Sequence, residues 1–324
     1  MRFSRIIGAV IAVGFLGSFA FFFWASSPTL PASAYAKVYA HTYESSAKTD
    51  SVYSIITYNI GYLSGMTNNL PIAPSKAFYA KNLKKVLEET KALDPDFIAL
   101  QEIDFNASRS FHVQQQNQIA ALGYNHVAEA VNWDETYLPF PYWPPTMHYG
   151  QVVSGQSVLS KFPILRQDRV VLSRVADAPF YRDALYIDRL AQVVTVAISG
   201  KEVVLINVHL EAFDKTTRVQ QLKEVVTLFQ HYAATSPTIL LGDFNSDPQY
   251  RNPAIQQVFD LEGVGNAAFT KDSYELTFNS GQPFERLDYI FYTTKDIAYV
   301  SGKVLTQYGT ASDHLPLLMK FTLK

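Results

Sequence analysis

Six apolar stretches of this sequence end in, or run into, side chains able to bind a cation or move a proton. Asn59 closes SIITYN, Glu102 closes FIALQE, His209 closes VVLINVH, and Asp243 with Asn245 closes TILLGDFN. Asp288 stands within RLDYIF, and Asp313 with His314 precedes LPLLMKF. A core strand at 238–241 has no need of Asp243 and Asn245 at its tip. Residues i and i+2 point the same way at a strand end, so the two can present polar groups to one point. Taken singly, each has a plain explanation: Asp and Asn form turns, and a lone His is commonly a satisfied core imidazole. Six such strand ends are not independent turns. Carboxylates and amides without any thiol suit a hard cation, Mg²⁺ or Mn²⁺. Two His add general acid and base chemistry near neutral pH. Together these groups suit attack of water on a phosphate ester.

The elements that must position them alternate irregularly. Strands are expected at 51–59, 96–102, in YNHVAEAV, in GQSVLS and PILRQDRVVL, and as a hairpin RLAQVVTVAI/EVVLINVHL split at Ser199-Gly200. Further strands follow at TILLGD, RLDYIFY, IAYVSGKVL and LPLLMKFTL. Helices are expected near 76–92, 111–122 and 252–260. Another is expected at 216–232, where Val219, Leu222, Val226 and Phe229 recur at spacings of three and four. Adjacent strands interrupted by a few helices indicate an α/β layered fold with at least one mixed sheet. Strict βα alternation fails, which argues against Rossmann and TIM arrangements.

The ordered set TYNIG, ALQEID, GQSVLSKFPI, NVHLE, LLGDFNSDP, RLDYIFY and SDHLPLLMKF resembles the endonuclease/exonuclease/phosphatase superfamily, from about residue 53 to 322. The resemblance implies a four-layer sandwich: two mixed β-sheets packed face to face and flanked by helices. It also implies roles. Glu102 would be the main Mg²⁺ ligand, with Mn²⁺ an alternative, Asn59 beside it and Asp313 contributing. His314 would activate the attacking water, oriented by Asp288. Asp243 and Asn245 would hold the water and the scissile phosphate. His209 would stabilise the transition state or protonate the leaving oxygen, and Glu129 would be the acid that pairs with it.

Bulk composition excludes several classes. The chain has 324 residues, Lys+Arg 27 against Asp+Glu 29, and a formal net charge of -2. No global positive field draws it to nucleic acid. With no Cys, disulfides, Cys-ligated zinc and thiol catalysis are out.

The first residues carry Arg2 and Arg5, followed by the uncharged run 6–24. That run is long enough to cross a bilayer. It is long for a signal peptide, which favours an uncleaved anchor. Positive-inside logic then puts the rest of the chain on the outer side; if cleaved, the protein is secreted. Residues 26–50, rich in Ser, Ala, Thr and Pro, read as a flexible linker, and 51–324 as the catalytic domain. The aromatic insert 131–151 suits a membrane boundary or base stacking, and otherwise reads as a Pro-stiffened loop packed on its own domain. A phospholipid or sphingolipid head group is the leading substrate, an exported nuclease the alternative, and a non-catalytic binding module a third reading. No protein partner is evident.

Overall fold

The β-branched and aromatic runs pair into two sheets in the computed structural model, which describes residues 2–45, 51–270 and 274–324. The strands are β1 (Ala36–Ala40), β2 (Tyr53–Asn59), β3 (Phe97–Ala107), β4 (His126–Leu138), β5 (Gly150–Ser160), β6 (Ile164–Val171), β7 (Leu190–Ile198), β8 (Lys201–His209), β9 (Thr238–Asp243), β10 (Val264–Asn266), β11 (Asp288–Thr293), β12 (Ile297–Val304) and β13 (Leu317–Leu323). The helices are α1 (Arg2–Ala25), α2 (Lys76–Leu93), α3 (Gln115–Ala120), α4 (Phe180–Asp183), α5 (Lys215–Ala233) and α6 (Gln256–Phe259). One sheet runs β1-β4-β5-β3-β2-β13-β12 and the other β10-β11-β9-β8-β7-β6. Each is mixed, with one parallel pair: β2 with β3, and β8 with β9.

Strand alternation builds the layers. Ile55 of β2 and Leu205, Ile239 and Leu241 of the second sheet fill the space between the sheets. Their neighbours Ile56 and Tyr58 face Val86 of α2 and Ile119 of α3. On the other side Val204, Ile206 and Leu240 face Leu222, Val225 and Phe229 of α5. The result is the expected α-β-β-α sandwich. Each fully buried Leu or Phe contributes about 1.5–3 kcal/mol on leaving water. Truncating Leu222 to Ala costs about 2–5 kcal/mol.

Four expectations need correction. The buried stripe of α5 uses Val225, while Val219 is exposed. α3 spans only Gln115–Ala120 because Phe111 and His112 hold φ of 59° and 58°, which a helix cannot contain. α6 is one turn, Gln256–Phe259. Most consequentially, 26–45 is not a loose linker. β1 pairs antiparallel with β4, Ala36 to Ala130 through Ala40 to His126. Asp134 of β4 accepts bonds from Thr29 N–H (2.9 Å) and Oγ1 (2.6 Å), Leu30 N–H (2.8 Å) and Tyr35 OH (3.0 Å). β1 is an exposed edge strand without a hydrophobic stripe, so its composition carries no strand signal. Residues 46–50 of the expected linker lie outside the described residues.

Above the apolar layer between the sheets lies a belt of buried amides. Gln101 Nε2 donates to Asn207 Oδ1 (2.6 Å) and Thr57 Oγ1 (3.1 Å), and Asn207 Nδ2 donates to Gln192 Oε1 (3.1 Å). Mutual bonding spares most of this buried polar layer the cost of about 1–3 kcal/mol per unmet group, although Gln101 Oε1 is buried without a hydrogen-bond partner. It locks the two sheets together directly beneath the site.

Candidate active site

Sheet register assembles the central row. His209 ends β8, opposite Asp243 at the end of β9, which in turn faces Asp288 at the start of β11. Registered residues on neighbouring strands share a face. The parity of Leu205, Ile239, Leu241 and Ile290 makes that face the one between the sheets. Close approach of β9 to β8 depends on Gly242: its φ is 137°, and a Cβ there would lie 2.0 Å from the Val208 carbonyl oxygen.

His314 enters from the loop before β13. Its Nδ1 lies 2.9 Å from Asp288 Oδ2 and its Nε2 3.8 Å from Asp243 Oδ2. Because a carboxylate only accepts, Nδ1 carries a proton and Nε2 is turned to the cleft. Burial alone would lower the basicity of His314, but Asp288, Asp243 and Asp313 outweigh it and raise its pKa well above the usual value. Asp243 is pushed up to about 7, chiefly by burial.

His209 is different. Arg189 Nη1 donates to its Nε2 at 2.7 Å, and an arginine cannot accept. Any proton on the neutral ring therefore sits on Nδ1, which is buried without a hydrogen-bond partner. Burial first, then Arg189 and His314, hold its pKa well below the usual value. The approaches of Nε2 to Glu102 (3.6 Å) and Asp243 (3.7 Å) are then contacts of a neutral imidazole, not ion pairs. The fixed positive charge here is Arg189, oriented by Glu211 at 3.5 Å. Tyr186 OH donates to both oxygens of Glu211 at 2.9 Å.

Facing this row across the cleft are two more carboxylates. Glu102 sits in a bulge of β3, where the register to β5 shifts between Leu100 and Ile103, and holds φ of 50°. A positive φ on a non-glycine residue at a bulge re-aims a side chain. Asn68 Nδ2 bridges Glu102 Oε2 (2.9 Å) and Asp313 Oδ2 (3.2 Å). Burial pushes Asp313 up to about 6, with the neighbouring Glu102 adding to the rise and His314 opposing it.

The donor chemistry fits a hard divalent cation in two places. Glu102 and Asp313 offer converging carboxylate oxygens. Asp243, Asp288 and His314 offer ligand atoms all within 4.8 Å of one another, though His314 Nδ1 and Asp288 Oδ2 already bond each other. Asn59, expected above beside the metal, reaches the other site residues with its amide nitrogen. Its Oδ1 accepts the Gly61 N–H (3.1 Å), which fixes the amide. Its Nδ2 therefore faces Glu102 Oε1 (3.3 Å) and Asp243 Oδ2 (2.9 Å) as a donor.

The sequence of residues 56–314 matches the model of the endonuclease/exonuclease/phosphatase family. The chain belongs to that family. A Vibrio cholerae UPF0294 protein is 31% identical over 124 residues, 38% of this chain and 41% of its own; the chain thus matches about two fifths of that relative's length. Among solved structures, the human Nocturnin catalytic domain with bound sulfate superposes with a TM-score of 0.60 at 20% identity, covering 89% of this chain and 98% of that one. D. rerio TDP2 complexed with single-strand DNA product gives 0.58 at 19%, covering 84% and 100%. At these identities the likeness shows the shared fold. Members of the endonuclease/exonuclease/phosphatase family are hydrolases of phosphate esters, nucleases included.

Of the residues expected in the site, the structure gathers Asn59, Glu102, His209, Asp243, Asn245, Asp288, Asp313 and His314. Asn245, at φ of 49°, donates to the Leu210 carbonyl (2.9 Å) and faces Asp243 Oδ2 at 3.5 Å. Glu129 is not brought to His209. It shares parity on β4 with Val127 and Val131, which face α3, and its carboxylate accepts from Gln116 (3.0 Å) and faces Tyr39 OH (3.4 Å). Sequence reasoning missed Asn68, Arg189 and Glu211. Asn68 lies in a turn-like MTNNLP, and Arg189 reads as an ordinary charge before a strand. Only Glu211, two residues past His209, carried a usable signal. All of them line or support a cleft of about 820 Å³.

Proposed function

We propose that the protein is a divalent-metal-dependent phosphoesterase, anchored by residues 6–24 with its catalytic domain on the outer side of the membrane, that hydrolyses the phosphodiester of a phospholipid or sphingolipid head group. The observation that carries the chemistry is the His209–Asp243–Asp288 row with His314 at its end, facing Glu102 and Asp313 in one cleft. Mg²⁺ or Mn²⁺ at Glu102 and Asp313 would offset phosphate charge and acidify water when bound. Asp288 holds the His314 ring so that Nε2 points at the attacking water. To serve as base, His314 must first release the proton on Nε2, and the Asp243 carboxylate, with Oδ2 3.8 Å away, takes it while Nδ1 keeps its bond to Asp288 at 2.9 Å. The water oxygen then bonds to phosphorus as the ester P–O bond breaks. His314 takes the water proton, and the Asp243 carboxyl returns one to the leaving oxygen. Arg189 contributes fixed positive charge toward the phosphoryl oxygens, while His209 and Asn59 hold the row in place.

Among the described residues one helix, the 21 residues Arg5–Ala25, is long and apolar enough to cross a membrane and is not buried in the protein; it supports an anchor and with it a lipid substrate. A nuclease reading is favoured by one observation: exposed Tyr142 and Trp143 at the cleft edge could equally stack on bases. The discriminating experiment is a panel assay with the full chain in detergent micelles and Mg²⁺. Lipid phosphodiesters, single- and double-stranded nucleic acids and inositol phosphates are compared. Turnover of lipid above the others supports the proposal, and preferential nucleic-acid cleavage overturns it.

A further inference from the structure

We infer that the rim of the cleft is a bilayer-docking surface, so that the substrate is an amphiphilic phosphate ester entering from the outer leaflet along an aromatic wall continuous with α1. For the chemistry inside the cleft this rests on the reading above; for the direction the cleft faces it rests on how the helix is docked. The last turns of α1 are fastened to the domain. Trp24 stacks on Tyr137 with ring centres 5.9 Å apart, Phe21 meets the same ring edge-on at 5.8 Å, and Phe22 meets Phe180 at 5.6 Å. The chain just beyond is held too: the Ser27 carbonyl accepts from Thr136 N–H (2.9 Å) and Oγ1 (2.8 Å). The Asp134 bonds and β1 follow immediately. The helix therefore cannot swivel as it would on a free tether.

Tyr137 and Phe180, the rings that meet α1, are where two walls of the cleft begin. Tyr137 leads into Leu138, Phe140 and Tyr142, and Phe180 into Tyr181, Arg182 and Tyr186, all lining the cleft. Trp24 sits in the last turn of the apolar span, where a helix leaves the hydrocarbon and aromatic rings collect. Its stacking on Tyr137, and the contact of Phe22 two residues earlier with Phe180, bring both rings to the end of the span. Around them Tyr142, Trp143, Phe180 and Tyr181 stand 67%, 79%, 74% and 55% exposed. A group of large exposed rings marks a binding surface, and this one continues the outward-facing apolar surface of α1. A bilayer covers both at once. Arg182, on the same wall, offers a cation at head-group level.

The chain holds Trp at 24, 133 and 143 only. Replacing Trp24 and Trp133 by Phe leaves Trp143 as the sole reporter. The full chain carrying both changes is reconstituted in phosphatidylcholine vesicles brominated at shallow or deep acyl positions. Quenching of Trp143 by the shallow label is expected, with loss of acrylamide access relative to vesicle-free detergent. If that variant does not fold, the difference between the native chain and Trp143→Phe reads the same emission. Trp143 emission indifferent to bromine and open to acrylamide would overturn the inference. Because this readout needs no turnover, it stands or falls apart from the phosphoesterase reading. As a second arm, Trp143→Ser with Phe180→Ser should cut turnover of vesicle lipid by at least about fivefold while sparing a small soluble phosphodiester. Equal loss on both substrates would overturn it.

Discussion

The floor and the rim of the cleft are built on opposite terms. On the floor, Asp243, Asp288 and His209 are buried at strand ends and His314 in the loop before β13, fixed by register and by bonds such as His314 to Asp288 at 2.9 Å. On the rim, Tyr142, Trp143, Phe180 and Tyr181 are exposed and sit on connections outside the sheets. Rigid, water-poor surroundings strengthen electrostatic interactions and hold groups in a reactive geometry. Exposed loop aromatics instead contribute contact area that a substrate or surface must fill. On the proposed reading, reaction type belongs to the floor and substrate choice to the rim.

Breaking the floor should have the largest effect. His314→Ala is expected to lower turnover of any substrate by a factor of about 10²–10⁴, with little change in Tm, as for loss of a general base. Asp288→Asn should act in the same direction, because it no longer accepts as a carboxylate from Nδ1. If a folded His314→Ala chain kept most of its rate, the base would lie elsewhere. Arg189→Met should reduce kcat by about 10²-fold if Arg189 supplies charge to the transition state. Arg189→Lys should restore part of the loss, whereas a purely structural role would show instead as a lowered Tm in both variants.

The join between floor and rim can be broken separately. Asp134→Ala removes the acceptor that holds Thr29, Leu30 and Tyr35. It should cost about 3 kcal/mol and expose 26–45 to limited proteolysis while leaving soluble-substrate kcat intact. An unchanged digestion pattern would mean that β1 alone holds the segment. The smallest effect concerns its neighbour Glu135. Burial, reinforced by Asp134, pushes the Glu135 carboxyl up to about 8 from 4.5. A folded-state value above the unfolded one gives a contribution fully present below pH 4.5 and lost as pH rises through 8. Glu135→Gln should therefore flatten the fall of Tm between those pH values, and parallel Tm curves for the two chains would contradict this.

How far each region could be read in advance follows the same division. The strand runs and their polar tips were legible because burial on both faces writes continuous apolar segments, and a polar residue ending one stands out. Glu102, Asp243, Asp288 and His314 came from that signal. What register alone decides was not legible. Glu129 carries the right chemistry, but the parity of β4 turns it toward α3, and a single sequence gives no parity for one Glu among alternating residues. Asn59 was found, yet its donor orientation depends on a backbone N–H two residues on. Arg189 and Asn68 act through contacts far apart in sequence. The edge strand β1 escaped notice because it buries almost nothing.

The central claim is metal-assisted phosphoester hydrolysis on this floor. Its most direct test is hydrolysis of bis(p-nitrophenyl) phosphate by the full chain in detergent, with Mg²⁺, with EDTA, and with Mg²⁺ restored, alongside folded Glu102→Gln and His314→Ala chains. Turnover that EDTA abolishes and Mg²⁺ restores is expected. Glu102→Gln should need far more metal, and His314→Ala should stay nearly inactive at any metal concentration. Turnover that survives complete chelation, or is shared by both variants, would contradict it.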